Sequence, residues 1–104
     1  MNSISNRHLI ALGRQLRMAR QRRAMTMADL GARAGLTRQT VAQLESGSDT
    51  VGLGALVRVL DVLGLAQTLE QVAHPQADAM GQALANEALP QRVRTADQTD
   101  RLRF

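Results

Sequence analysis

Cysteine, tryptophan, tyrosine and lysine do not occur in this 104-residue chain, and the only aromatic residue is Phe104. Without cysteine there are no disulfides and no thiolate metal sites, which fits a reducing compartment. Without aromatics the core must be built from Leu, Val, Ile, Met and Ala, side chains suited to packing helix against helix. There are only two prolines, Pro75 and Pro90. No apolar run is long enough to span a bilayer, and residues 1–10 lack the apolar stretch of a signal peptide, so the sequence reads as a cytoplasmic, non-membrane protein. Catalysis finds little support. His8 and His74 are lone histidines with no second ligand at metal spacing, no glycine-rich phosphate loop follows a strand, and no serine nucleophile stands in a recognisable setting. The expectation is therefore a non-enzyme with no cofactor and no metal.

Charge is abundant, and it is unevenly placed. All thirteen cations are arginines, whose planar fork favours bidentate contacts. Residues 1–38 hold eight arginines against the single acid Asp29, a net of +7; the remainder holds five arginines against eight acids, a net of −3. A basic half beside an acidic half suggests an electrostatic footprint on a polyanion. The length allows one small domain and a tail, read as residues 1–74 and 75–104. A chain this short gains from burying further surface in a dimer.

The most informative stretch is residues 26–47, which reads as two short helices joined by a tight turn. Thr26 is suited to cap the first, because its hydroxyl accepts a free backbone N–H. Leu30 and Ala34 then share one face. Gly35 falls where a chain leaving a helix often needs positive φ. Thr37 caps the second helix, and Val41 and Leu44 form its apolar seam. Its outward positions are Arg38, Gln39, Ala42 and Gln43. Arginine and glutamine are the side chains that read guanine and adenine edges in the major groove, so this is a DNA reader in outline. The full pattern predicts helices at about 6–23 (capped by Ser5 or Asn6), 27–34, 38–45 and 53–63, the last ended by Gly64. Its apolar stripe is Leu53, Leu56, Val57, Leu60 and Leu63.

This stretch resembles the Xre family of bacterial and phage repressors. The residues that carry the likeness are Thr26, Leu30, Gly35, Leu36, Thr37, Thr40, Val41, Glu45 and Gly47, with Leu12 to Arg20 similar to the family's first helix. The likeness covers roughly residues 9–65 of the chain. It departs at Met27, where the family usually has a Gln that grips a phosphate, and at Gly31, where the family usually has Ala in the close contact between the two helices. Aligned on the motif, Arg38, Gln39 and Gln43 match positions that contact base edges. Arg22, Arg23, Thr26, Thr37 and Ser46 are candidates for phosphate contacts, together with the N–H groups opening the second helix. The resemblance also implies a structural ion pair between Arg20 and Glu45.

Residues 65–72 alternate, with Leu65, Gln67 and Leu69 set against Ala66, Thr68 and Val72. That pattern predicts a short strand, which needs a partner for its backbone; the same strand of a second subunit, paired across a two-fold axis, would supply it. Leu65, Gln67, Leu69 and Val72 are then the dimerisation residues. The alternative is a fifth helix. Ala77 to Leu89 is compatible with a helix carrying only Met80 and Leu84 as a stripe, and residues 92–104 have the composition of a flexible tail. The expected architecture is all-α: a repressor-like helix-turn-helix bundle of four to five helices, a short C-terminal dimerising β-strand and a flexible tail.

Residues 52–65 followed by Gln67-Thr68-Leu69 also resemble HipB-type antitoxins, a likeness resting on about twenty residues. It implies a protein that dimerises through a strand, binds its own operator and neutralises a HipA-type serine/threonine kinase toxin. The expected partners are thus a double-stranded DNA operator, a second copy of the chain and a kinase toxin, with no membrane. The alternative is a stand-alone Xre regulator with no toxin partner.

Overall fold

A computed structural model describes residues 3–88 of the chain. The tail at 92–104, Phe104 included, lies outside the described residues. Five α-helices run in the order α1 (Ser3–Arg22), α2 (Met27–Ala34), α3 (Arg38–Glu45), α4 (Leu53–Leu63) and α5 (Ala79–Ala88), with 3-10 helices at Ala66–Gln71 and Pro75–Ala77. They fall into two compact units that divide between Leu69 and Glu70.

The first unit is a bundle in which α2 packs on α3 and α4, and α1 packs on α3 and α4. Its core is aliphatic throughout: Leu16, Ala19, Met25, Leu30, Ala34, Val41, Leu44, Val59, Leu60 and Leu63. Leu30, Val41 and Val59 are its largest fully buried side chains, each worth roughly 1.5–3 kcal/mol in transfer terms. Leu30 and Ala34 point inward from α2, and Val41 and Leu44 from α3, at the three- and four-residue spacings that put side chains on one helix face.

Helix starts and stops follow local chemistry. Gly35 ends α2 in the left-handed region (φ 72°, ψ 33°), and the Leu36 N–H donates to the Gly31 carbonyl at 2.8 Å, closing the turn between α2 and α3. The helix α1 runs from Ser3, so Ser5 and Asn6, the expected start, lie inside it. Between α1 and α2 the chain turns through Ala24, which holds φ at 55°. A Cβ in that region costs roughly 1–2 kcal/mol. Ala24→Gly should therefore raise stability by about 0.5–1 kcal/mol after the glycine's extra unfolded-state freedom is counted, as read by thermal melting. An unchanged or lower melting temperature would count against strain at this turn.

The expected strand at 65–72 is not present: Ala66–Gln71 is a 3-10 helix, and the described residues contain no strand. Gly64 leaves α4 with φ 76°, and the Leu65 N–H returns to the Leu60 carbonyl at 2.7 Å. The Leu65 carbonyl then accepts two bonds from Thr68, from its N–H at 3.0 Å and from its hydroxyl at 2.6 Å. Three-residue closure of this kind coils the chain and leaves no strand edge. Leu65 and Leu69 both lean on the core, which a spacing of four achieves in a helix as readily as a spacing of two does in a strand. Gln67 and Val72, assigned with them to a dimerising strand, are exposed, Val72 at 72%. None of the four belongs to a β-ladder.

In the second unit, His74 Nδ1 accepts the Gln76 N–H at 3.1 Å and so caps the turn Pro75–Ala77. Asp78 accepts the Gly81 N–H at 2.9 Å at the head of α5. Met80 and Leu84 remain 76% and 59% exposed.

Candidate nucleic-acid interface

Two threonines build the geometry of the candidate site. Thr26 sits in an extended conformation before α2 and accepts the Asp29 N–H at 3.0 Å, while the Asp29 carboxylate accepts the Thr26 N–H at 3.1 Å. This reciprocal pair fixes the entry to α2. Its hydrogen bonds to the Thr26 backbone, then to the Thr26 side chain, hold the Asp29 carboxyl below the usual aspartate range. A depressed folded-state pKa gives stability that is present above the ordinary pKa and lost as pH falls through the folded one. The stability advantage of the parent over Asp29→Asn at pH 7 is thus expected to shrink as pH drops below about 4, in thermal melts across that range. A gap independent of pH would show that the charge plays no part.

Thr37 does the same service for α3. Its hydroxyl accepts the Thr40 N–H at 3.1 Å and lies 2.9 Å from the Thr40 hydroxyl. Below it, Val41 and Leu44 turn into the core, which leaves Arg38, Gln39 and Gln43 exposed and Ala42 half-buried on the opposite arc of the helix. Among the described residues, no side-chain hydrogen bond or ion pair engages Arg38, Gln39 or Gln43. The three side chains lie within the first two turns of α3 and are available to a ligand.

The candidate phosphate contacts are all exposed, but differ in what they have left to offer. Thr26 uses its hydroxyl as an acceptor, so its proton is free to donate. The Ser46 hydroxyl already donates to the Gln43 carbonyl at 2.9 Å and must rotate to reach a phosphate. Arg23 donates one Nη1 bond to the Ala19 carbonyl at 2.7 Å at the end of α1, leaving the rest of its fork. Arg22, in the last turn of α1, lies beside it in sequence. At the head of α2, two N–H groups are taken by the Thr26–Asp29 pair, and Met27 is half-buried against the core instead of reaching outward.

Behind the exposed arc of α3 stands a buried ion pair. Arg20 Nε donates to Glu45 Oε2 at 2.6 Å and Nη2 to Oε1 at 3.0 Å, while Nη1 donates to the Met25 carbonyl at 2.8 Å. One guanidinium thereby ties α1, the turn into α2 and the last residue of α3. The bonds from Glu45 hold the Arg20 pKa above its ordinary value, against the opposing pull of burial, so it stays cationic at any working pH.

Sequence reading missed the other fastener of α3. A Cβ placed on Gly13 would overlap the Glu45 carbonyl and stand 2.8 Å from the Leu44 oxygen, so α1 rests its backbone directly on the end of α3. The available signal was an isolated glycine inside a strong helical pattern. Gly31 makes a similar close approach, 2.7 Å from the Leu36 oxygen to the position of a Cβ.

A capped helix, a left-handed glycine turn and a second capped helix with free Arg and Gln outward, all set on a three-point ion pair, is the geometry of a helix-turn-helix. A family model described as a helix-turn-helix domain matches residues 11–73, more than half of the chain. The chain belongs to the helix-turn-helix domain family. Within it, the motif residues of α2 and α3 are similar to those of Xre-type proteins. A protein of Sinorhizobium fredii (strain NBRC 101917 / NGR234), named as an uncharacterized HTH-type transcriptional regulator, y4dL, is 45% identical over 51 residues. That match covers 49% of this chain and 26% of the relative, so the helix-turn-helix chain spans about a quarter of the relative's length. No solved structure matches the chain. Among the described residues of this helix-turn-helix protein, no cluster of His, Cys, Asp or Glu is arranged to hold a metal. No helix among them is long and apolar enough to cross a membrane.

Proposed function

We propose that the protein is a sequence-specific transcriptional repressor that binds an inverted-repeat operator as a homodimer in the cytoplasm, most simply at its own promoter. The observation that carries this reading is the outward arc of α3, where Arg38, Gln39 and Gln43 stand exposed with no side-chain partner among the described residues. In this reading they contact base edges, while Arg22, Arg23, Thr26, Thr37 and Ser46 position the backbone. The excess of seven positive charges in residues 1–38 supplies the sequence-independent attraction. Half-sites one helical turn apart, roughly 34–36 Å, fit two such helices related by a two-fold axis.

Arg38→Ala is the test. In gel shifts on DNA upstream of the gene, it should lose about 1–3 kcal/mol of preference for cognate over scrambled duplex while still binding DNA non-specifically. Unchanged preference would remove Arg38 from the reading set.

A second reading, an antitoxin neutralising a HipA-type serine/threonine kinase, is supported by the sequence of residues 52–65 and is compatible with autorepression. It loses the strand that formed part of the resemblance. A kinase-sized protein eluting with the full chain would favour it, and tight operator binding without one leaves a stand-alone regulator.

A further inference from the structure

Ile10, Gly13, Arg17 and Arg20 follow one another along α1 at spacings of three, four and three, so they share one stripe of the helix. All but Arg17 rest on the end of α3 or on the residue after its cap. A Cβ on Gly47 would stand 2.8 Å from the Ile10 Cα, one on Gly13 would overlap the Glu45 carbonyl, and Arg20 holds the Glu45 carboxylate. Arg17 lies between the last two and is exposed. Among the described residues it makes no side-chain hydrogen bond or ion pair.

The end of α3 is satisfied without this cation. The Ala42, Gln43 and Leu44 carbonyls accept the N–H groups of Ser46, Ser48 and Gly47 at 3.0, 3.0 and 3.2 Å, and the Gln43 carbonyl also accepts the Ser46 hydroxyl. Both Glu45 carboxylate oxygens are held by Arg20. The helix α1 contains no acid, and Arg14 lies one turn before Arg17, so the two cations repel. An anion from outside the fold relieves that repulsion. Ser46, a candidate phosphate contact, lies between Glu45 and Gly47, the two residues that this stripe touches. The other candidates, Arg22, Arg23, Thr26 and Thr37, stand at the end of α1 and at the heads of α2 and α3. We propose that Arg17 contacts a DNA backbone phosphate at the Ser46 end of α3. The planar fork of arginine suits that partner. Arg17 is then a positioning residue, which holds the far end of α3 against the duplex and reads no base. This rests on the DNA-binding reading and adds to it a contact that charge counting along the sequence does not single out.

Salt titration of binding by the full chain, read by fluorescence anisotropy on cognate and scrambled duplexes, tests the contact. Arg17→Gln should bind both duplexes more weakly and keep the parent's preference between them. Its plot of log affinity against log salt should be shallower by about 0.9 per bound chain, so the parent's advantage shrinks about 3.5-fold between 50 and 200 mM salt. Its melting temperature should match the parent's, and Arg17→Lys, which keeps the cation, should restore most of the slope. Arg7→Gln removes the same charge about 15 Å further along α1 and should leave the slope unchanged. An unchanged slope in Arg17→Gln, an equal loss of slope in Arg7→Gln, or a lower melting temperature with the parent's slope would each overturn the inference. A parent that prefers no sequence, with the predicted loss of slope in Arg17→Gln, would leave this contact standing and sink the base-reading proposal. A parent that prefers the cognate duplex, with an Arg17→Gln slope equal to its own, would do the reverse.

Discussion

Glu45→Ala is expected to lower stability by about 3–5 kcal/mol, the cost of leaving the Arg20 guanidinium buried without its carboxylate. Arg20 and Glu45 keep only 9% and 4% of their side-chain surface exposed, and their two hydrogen bonds join helices 25 residues apart in sequence. A small domain has roughly 5–15 kcal/mol in total, so this one change removes a large part of it. At about 4–8 °C per kcal/mol, the melting temperature should fall by on the order of 15–30 °C. Loss of DNA binding should follow from loss of folding, and at low temperature, where the variant is still folded, binding should largely return. Replacing both partners by apolar residues, Arg20→Met with Glu45→Leu, should recover much of the loss, because no charge is then stranded. Recovery should stay incomplete, since the Met25 carbonyl loses its donor from Arg20 Nη1. A melting temperature for Glu45→Ala within about 2 °C of the parent would show that the pair contributes nothing to the fold.

The second large effect concerns Gly13, where intuition about helices points the wrong way. In an open helix, Gly→Ala gains roughly 0.5–1 kcal/mol. At Gly13 the added methyl would overlap the Glu45 carbonyl and press on the Leu44 oxygen. Backbone atoms cannot swing aside as a side-chain tip can, so α1 must lift from the end of α3. The expected result for Gly13→Ala is a net loss of about 1–3 kcal/mol or more. Gly54→Ala, on α4 with nothing within 4 Å of the new Cβ, is the matched control and should be neutral or stabilising. Denaturant unfolding of the two variants side by side gives the answer. If both gain stability, α1 does not lie against α3 as closely as the structure has it. The two variants also separate fold from function, since Gly13→Ala alters the seat of α3 without touching Arg38, Gln39 or Gln43.

The helices of the bundle were legible because each carries its own punctuation. Thr26, Thr37, Gly35 and Gly64 mark ends by what their side chains, or lack of them, do to neighbouring backbone groups, and α2, α3 and α4 fall where those marks put them. The start of α1 has no such mark, and the helix runs from Ser3 where the pattern predicts a start near residue 6. The strand failed for a physical reason of its own. Leu65 and Leu69 satisfy a period of two and a spacing of four equally well, so hydrophobic pattern alone could not decide. The decision was made by Thr68, which closes on the Leu65 carbonyl through both its N–H and its hydroxyl. The roles of individual side chains at the candidate site were legible only as residue types. Which protons are already engaged, as at Ser46 and Arg23, depends on carbonyls that folding brings within reach. Met27 was visible as a departure from the family's phosphate-gripping glutamine, but its half-buried position against the core needed the packing of α2 to be known.

The proposed function depends on the exposed arc of α3 reading base sequence. Selection of binding sites from a random duplex pool by the full chain, at fixed salt, measures that directly. The parent should enrich an inverted repeat, and Arg38→Ala should relax one symmetric pair of positions within it while leaving the rest of the motif in place. A pool that enriches no sequence, or a motif identical for the parent and a variant lacking Arg38, Gln39 and Gln43 together, would contradict the account.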